Sequence, residues 1–180
     1  MVKNISTDNS KSRTLTLASG VVLNIHRVSS MLFGDLTRRH PRPKPPKWMN
    51  PDTGREEDNR DDPNYLQMQG EWEVNISMSM IDNMIIMGTS INEVPKEFPK
   101  LDDIDWIDRL EAGGFVIGTN KAKRYLSYVK YIACADNDDD ISAITESVGK
   151  LSGVSDKDVN DAVDRFRDNP GRRTDNSVSS

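Results

Sequence analysis

Residues 62–87 have the sequence DPNYLQMQGEWEVNISMSMIDNMIIM, and no other stretch of the chain predicts so long a helix. Asp62 can accept hydrogen bonds as the N-cap, and Pro63 suits the first helical position, where a backbone N–H is not needed. We therefore predict a helix from Asp62 to Met87, roughly 38 Å long at about 1.5 Å per residue, that Gly88 ends and against which shorter helices pack. Its apolar face repeats every three or four residues and consists of Tyr65, Met68, Trp72, Ile76, Met80, Met84 and Met87.

The second half of this helix is rich in methionine. Five of the eight methionines lie between Met68 and Met87. Methionine is flexible and polarizable, so a surface rich in it can repack against partners of different shape. Two interpretations stay open: a core stripe in which methionine fills irregular space, or a partner-binding face formed by Met80, Met84 and Met87. We do not expect a membrane span, because the apolar part is shorter than the roughly 20 residues that a span requires.

Composition indicates one domain with flexible ends. A chain of 180 residues can form a real core, but a hydrophobic fraction of 35% and a charged fraction of 29% suggest that polar arms dilute it. We predict a disordered arm over residues 1–12, a single domain over 13–168 and a disordered tail over 169–180. The net charge of −5 gives no global attraction to nucleic acid. The single cysteine and the absence of an apolar leader favour the cytoplasm.

The remaining patterns predict a mostly all-α domain of about five to six helices around the long one, with an N-terminal β-hairpin. The hairpin pairs residues 14–17 with 21–25 around a turn that contains Gly20. We expect one core in which Trp72, Trp106, Tyr128 and Phe166 meet, because each lies on the apolar side of its helix. The shorter helices are predicted from Ser29 or Ser30 to Arg39, from Asp102 or Asp103 to Gly113, from Thr119 or Asn120 to Ala135, from Ile141 to Leu151, and from Ser155 to a stop at Asn169-Pro170-Gly171.

A charged connector precedes the long helix, at about residues 40–61. Its first part is basic and proline-dense, which predicts extended polyproline II structure. It is interpreted as a stiff linker, as a PxxP ligand through Pro43 and Pro46, or as a phosphate-contacting arm. The second part, residues 52–62, is acidic. It could neutralise the basic part or bind a partner, and the sequence favours neither. The basic residues of this arm are Arg38, Arg39, Arg42, Lys44 and Lys47.

The sequence contains no recognisable catalytic motif. His26 and His40 are the only histidines, and neither has a second ligand type at metal-binding spacing. The serines form no G-x-S-x-G motif, and the carboxylates lie in charge runs or at helix starts, where solvation and capping explain them. We therefore predict that the protein is not an enzyme and that it has no catalytic residue, no cofactor and no metal site.

Five pieces of the sequence, taken in order, carry a resemblance to a known family. Together they span about residues 25–165. Their order resembles that of the tail assembly chaperones of long-tailed (siphovirus-type) bacteriophages. The pieces are residues 22–28 followed by Met31-Leu32-Phe33, residues 41–46, residues 56–66 leading to Trp72, residues 123–129, and residues 151–154 before residues 163–166.

The resemblance implies a non-enzymatic, mostly helical protein in the host cytoplasm that is absent from the mature virion. It implies binding to the tape-measure protein while tail tube protein polymerises, and it allows a longer frameshifted form of the chain as a further partner. The resemblance supplies no site residues, because the family has no motif that fixes them. The alternatives are a structural neck or tail subunit that stays in the virion, or a nucleic-acid-binding protein that uses the basic arm, although the negative net charge disfavours the last.

Overall fold

A computed structural model describes residues 13–135, 137 and 139–153 of the chain. Of the described residues, 51% are helical and 14% lie in strands. The prediction of a mostly all-α domain is therefore wrong, and the fold is a small mixed α/β domain with two small sheets. The elements in chain order are β1 (Arg13–Thr16), β2 (Val22–Ile25), α1 (Ser30–Arg39), β3 (Lys47–Met49), β4 (Glu56–Asp58), α2 (Pro63–Gly88), β5 (Thr89–Glu93), α3 (Asp105–Ala112), α4 (Lys121–Tyr128) with a π-helical continuation (Val129–Ala133), and α5 (Asp139–Ser152).

The larger sheet has three antiparallel strands in the order β1-β2-β5. The predicted N-terminal hairpin is present, with Leu15 opposite Leu23, and Gly20 adopts a φ of 82° in its turn. The sequence pattern does not predict strand β5. This strand pairs with β2, with Ile25 opposite Thr89, and so turns the marginal two-stranded hairpin into a sheet.

Helix α2 begins as its sequence predicts and ends one residue later than predicted, at Gly88. The Asp62 carboxylate accepts the N–H of Tyr65 at 2.9 Å, and Pro63 is the first helical residue. At the other end, Thr89 has extended backbone angles, so the chain passes from the helix directly into β5 without a loop. Because this strand follows the helix so closely, the sheet is fixed against one end of α2.

The main core lies between the three-stranded sheet and the second half of α2, with α4 and α5 packed around it. The turn between β1 and β2 docks on the helical side, where the Ser19 hydroxyl donates to the Ala133 carbonyl at 2.6 Å and the Ala18 N–H donates to Asp140 Oδ2 at 2.9 Å. The largest side chains without accessible surface are Leu23, Ile81, Met84, Ile85, Tyr128 and Ile144.

The predicted aromatic core forms only in part. Trp106 and Tyr128 pack edge to face, with ring centroids 5.7 Å apart, and both are buried. Trp72 lies outside the main cluster and contacts the proline-rich segment instead, as described below. Phe166, the predicted last helix, the N-terminal arm and the C-terminal tail lie outside the described residues.

None of the described helices has both the length and the apolar character that crossing a membrane would require.

Candidate protein-binding surface

Methionine is used mainly at the surface of the described structure. Seven of the eight methionines are described, and one of them, Met84, is fully buried. Four are exposed, namely Met31, Met49, Met68 and Met87. Methionine is among the residue types that folded proteins most often bury. Exposed flexible apolar side chains are typical of surfaces that bind partners of varied shape.

The three candidate residues on α2 differ in their exposure. Met84 has no accessible surface, so it packs in the core and no partner can reach it in this fold. Met80 is partly buried against the same core. Met87 is 57% exposed and precedes Gly88, which packs against Val148. The structure therefore places only Met87 where a partner could contact it directly.

The exposed methionines on helices lie far apart. Met68 and Met87 are separated by 19 residues of α2, or roughly 28 Å along the helix axis. Met31 lies in the first turn of α1, three residues after the buried Val28 that packs near Gly88. We call Met31, Met68 and Met87 the methionine surface. Its members are suited to several weak contacts along an extended partner rather than to one compact pocket.

Part of the basic arm contacts other segments of the chain. The Trp72 indole donates to the His40 carbonyl at 2.6 Å, and the Arg42 guanidinium lies 5.8 Å from the centre of the same indole ring. Trp72 therefore holds the proline-rich segment against α2. Arg38 forms an ion pair with Asp35, and Lys47 forms one with Asp58 at 2.7 Å.

The other basic residues of the arm, Arg39, Arg42 and Lys44, form no ion pair within the described residues, and Arg42 already contacts the Trp72 ring. In the PxxP segment, the Pro46 carbonyl accepts the Asn59 N–H at 2.8 Å, so this backbone group already has a partner. Three of the five basic side chains of the arm therefore keep a positive charge that no described carboxylate pairs with.

Residues that the sequence assigns to the linker form a second hairpin instead. Strands β3 and β4 pair in antiparallel register, with Trp48 opposite Glu57. The turn is fixed by the Asn50 side-chain amide, which donates to Glu57 Oε2 at 2.9 Å, and by the Thr53 hydroxyl, which donates to Glu57 Oε1 at 2.8 Å. Gly54 adopts a φ of 65°, which favours glycine.

Two described sites carry side chains that could act as a nucleophile or a base, namely Cys134 and the His26–Ser90 pair. Cys134 is buried, and burial together with the Asp140 carboxylate raises the pKa of its thiol to about 12, so the reactive thiolate is suppressed. His26 Nε2 lies 2.8 Å from Ser90 Oγ, but no carboxylate contacts His26 among the described residues.

A surface cavity of about 370 Å³ lies beside Trp106 and α3. It is lined by equal numbers of acidic and basic side chains, so its charge favours no one class of ligand. Within the described ranges, no group of three His, Cys, Asp or Glu side chains is placed to hold a metal ion. The charged lining residues are Lys96, Glu97, Lys100, Asp103, Asp105 and Arg109.

Comparison of the chain with protein-family models, with curated proteins and with solved structures gives no match.

Sequence reasoning misses two of the four exposed methionines, Met31 and Met49. The sequence indicates Met31 only as part of a helical stripe, and it assigns Met49 to the linker. A signal is present for the hairpin, since the turn residues Asn50-Pro51-Asp52-Thr53-Gly54 stand between two short segments. The three-residue strands on either side are too short to show an alternating pattern.

Proposed function

We propose that this protein is a non-enzymatic phage tail assembly chaperone that binds the tape-measure protein through its methionine surface. The observation that carries the proposal is the exposure of methionine: four of the seven described methionines are exposed and one is fully buried. A chaperone for a long and varied client needs adaptability more than a single rigid fit, and methionine supplies it. The identity of the client is taken from the resemblance of the sequence to the chaperone family.

The spacing of the methionine surface agrees with such a client. A long coiled-coil-prone protein exposes apolar stripes that aggregate unless they are covered. Met68 and Met87 lie roughly 28 Å apart along α2, or about five helical turns, so they could contact separate parts of one long client. Several weak contacts on one partner give useful avidity and still permit release when tail tube subunits replace the chaperone.

The mixed α/β fold gives the proposal no support, because the resemblance implied a mostly helical protein. The proposal depends on surface chemistry and on the order of the sequence pieces. The proposal is therefore tested by measuring binding to the client.

The experiment co-expresses the chain with the tape-measure protein of the same phage and measures how much client stays soluble and co-purifies. The wild-type chain should keep the client soluble. A Met31→Ser, Met68→Ser, Met87→Ser variant should stay folded and lose most co-purification, since all three side chains are exposed. An Ile104→Ser, Val116→Ser variant is the matched control, because it removes exposed apolar side chains outside the methionine surface and should behave like wild type.

Failure of the wild-type chain to keep the client soluble would overturn the proposal, as would a folded triple variant that binds as well as wild type. Mass spectrometry of purified virions distinguishes the structural alternative. A chaperone should be absent from the finished particle, whereas a neck or tail subunit should be present at fixed stoichiometry.

A further inference from the structure

The β3–β4 hairpin is a preformed element that no second layer of the described residues covers. Its pairing extends beyond the strands through the Pro46–Asn59 hydrogen bond, and the Glu57 carboxylate holds its turn. The hairpin nevertheless makes no extensive packing contact with another described element. Met49 is 66% exposed and Trp48 is 43% exposed. Two strands alone are marginally stable in water, so a second layer would stabilise this hairpin.

The two faces of the hairpin differ in chemistry. Side chains alternate along a strand, and residues directly opposite each other across the pair share a face. One face therefore carries Lys47 and Met49 from β3 with Glu56 and Asp58 from β4, and we call it the Met49 face. The opposite face carries Trp48, across from Glu57.

The Met49 face is divided by charge between its two strands. Its β3 side carries the ammonium group of Lys47, and its β4 side carries the carboxylates of Glu56 and Asp58. Lys47 and Asp58 lie opposite each other and form an ion pair, but their side chains stay 59% and 40% exposed. Both groups can therefore accept a second partner from above the sheet.

We propose that the Met49 face binds the same face of a second copy of this chain. A two-fold axis parallel to the strands, between two stacked hairpins, places β3 of each copy over β4 of the other. Lys47 of each copy then lies over Asp58 of the other, and the two Met49 side chains lie at the same level on either side of the axis. A two-fold interface requires such a self-complementary patch. A partner with a surface of one charge sign would instead be repelled by the charges on one of the two strands.

This interface is small, so the dimer is weak and sensitive to salt. One hairpin face buries much less area than a standard protein interface, and exposed ion pairs are screened by added salt. Self-association goes beyond the proposed chaperone function, and it is measured with the purified chain in the absence of any client. Failure of one proposal therefore leaves the other open to its own test.

The first experiment is sedimentation velocity over a wide range of protein concentration. The wild-type chain should show a reversible monomer–dimer equilibrium that weakens as sodium chloride is raised. Met49→Ser should weaken the dimer by about tenfold. Trp48→Ser, on the opposite face of the same strand, is the matched control and should change the dissociation constant by less than about twofold.

The second experiment exchanges charges between copies. Lys47→Glu makes the Met49 face wholly acidic and Asp58→Lys makes its charge more basic, so each variant alone should weaken the homodimer by about tenfold through repulsion between like charges. An equal mixture of the two variants should restore association as a heterodimer, since the carboxylate introduced in one copy then faces the ammonium introduced in the other.

Each single change also breaks the ion pair within its own hairpin, and the double variant separates this effect from the loss of the interface. Lys47→Glu combined with Asp58→Lys in one chain restores opposite charges both within the hairpin and across the axis, so it should dimerise like wild type. Circular dichroism of each variant checks that it is folded. A monomer at every concentration, a dimer indifferent to Met49→Ser, a mixture no stronger than its components, or a monomeric double variant would each overturn the proposal.

Discussion

Gly88 shows how one hydrogen atom in place of a methyl group positions a helix. A Cβ built at this residue would lie 2.5 Å from Val148 Cγ1 and 2.8 Å from Cγ2, and 3.1 Å from Val28 Cγ2. The valine side chains are short and buried, so they have little room to move. Helix α2 therefore approaches α5 closely only because residue 88 lacks a side chain.

We predict that Gly88→Ala destabilises the protein by about 1–2 kcal/mol, because overpacking exceeds the gain in helix propensity. Gly70 lies in the same helix with no atom near its missing Cβ, so Gly70→Ala should stabilise by about 0.5–1 kcal/mol. Chemical denaturation of the two variants measures both values. Equal effects with the same sign would show that propensity alone governs residue 88 and that the close contact is unimportant.

At the scale of elements, the two tryptophans that the sequence placed in one core have different roles. Trp106 is 3% exposed, packs on Tyr128 and donates to the Lys100 carbonyl at 3.1 Å. Trp72 is partly exposed and holds the proline-rich segment through His40 and Arg42. Each tryptophan lies on the apolar side of its own helix. Sequence alone therefore could not distinguish a side chain that packs in the core from one that packs against a neighbouring segment.

We predict that Trp106→Ala costs about 3–5 kcal/mol of unfolding free energy. Trp72→Ala should cost only about 1–2 kcal/mol, the sum of one hydrogen bond and one cation–π contact. It should also release the proline-rich segment and speed tryptic cleavage after Arg39 at a temperature where the domain stays folded. Similar losses of stability in both variants, with unchanged cleavage in Trp72→Ala, would argue against this division of roles.

The elements that sequence predicts best have strong local signals. Helix α2 has an N-cap, a proline and a long apolar period, and the first hairpin has a turn glycine between apolar segments. Strand β5 has none of these, because Thr89 follows the helix without a turn and its five residues gain their stability from pairing with β2. For the candidate surface, periodicity placed Met84 and Met87 on one helix face, but only tertiary packing decides that Met84 is buried and Met87 is exposed.

For the whole molecule, two buried weak acids, the thiol of Cys134 and the phenol of Tyr128, make stability depend on pH in the alkaline range. Burial, together with the Asp140 carboxylate, raises the pKa of Cys134 from 9.0 to about 12. Burial, together with the Asp103 carboxylate, raises the pKa of Tyr128 from 10.0 to about 12. Below pH 9 both groups are neutral in the folded and in the unfolded chain, so folding keeps its full stability there. As the pH rises toward 12, the unfolded chain ionises first and is favoured, and stability is lost.

We predict that the unfolding free energy falls between pH 9 and pH 12, with each of the two groups adding a slope that approaches about 1.4 kcal/mol per pH unit. Cys134→Ala and Tyr128→Phe should each make the profile shallower. Tyr128→Phe also loses the hydrogen bond from the phenol to the Pro99 carbonyl at 2.6 Å, which lowers stability at every pH. The slope across this window, rather than the value at neutral pH, is therefore the quantity to compare, by urea unfolding in the presence of a reductant. A slope unchanged in both variants would show that neither Cys134 nor Tyr128 controls alkaline stability.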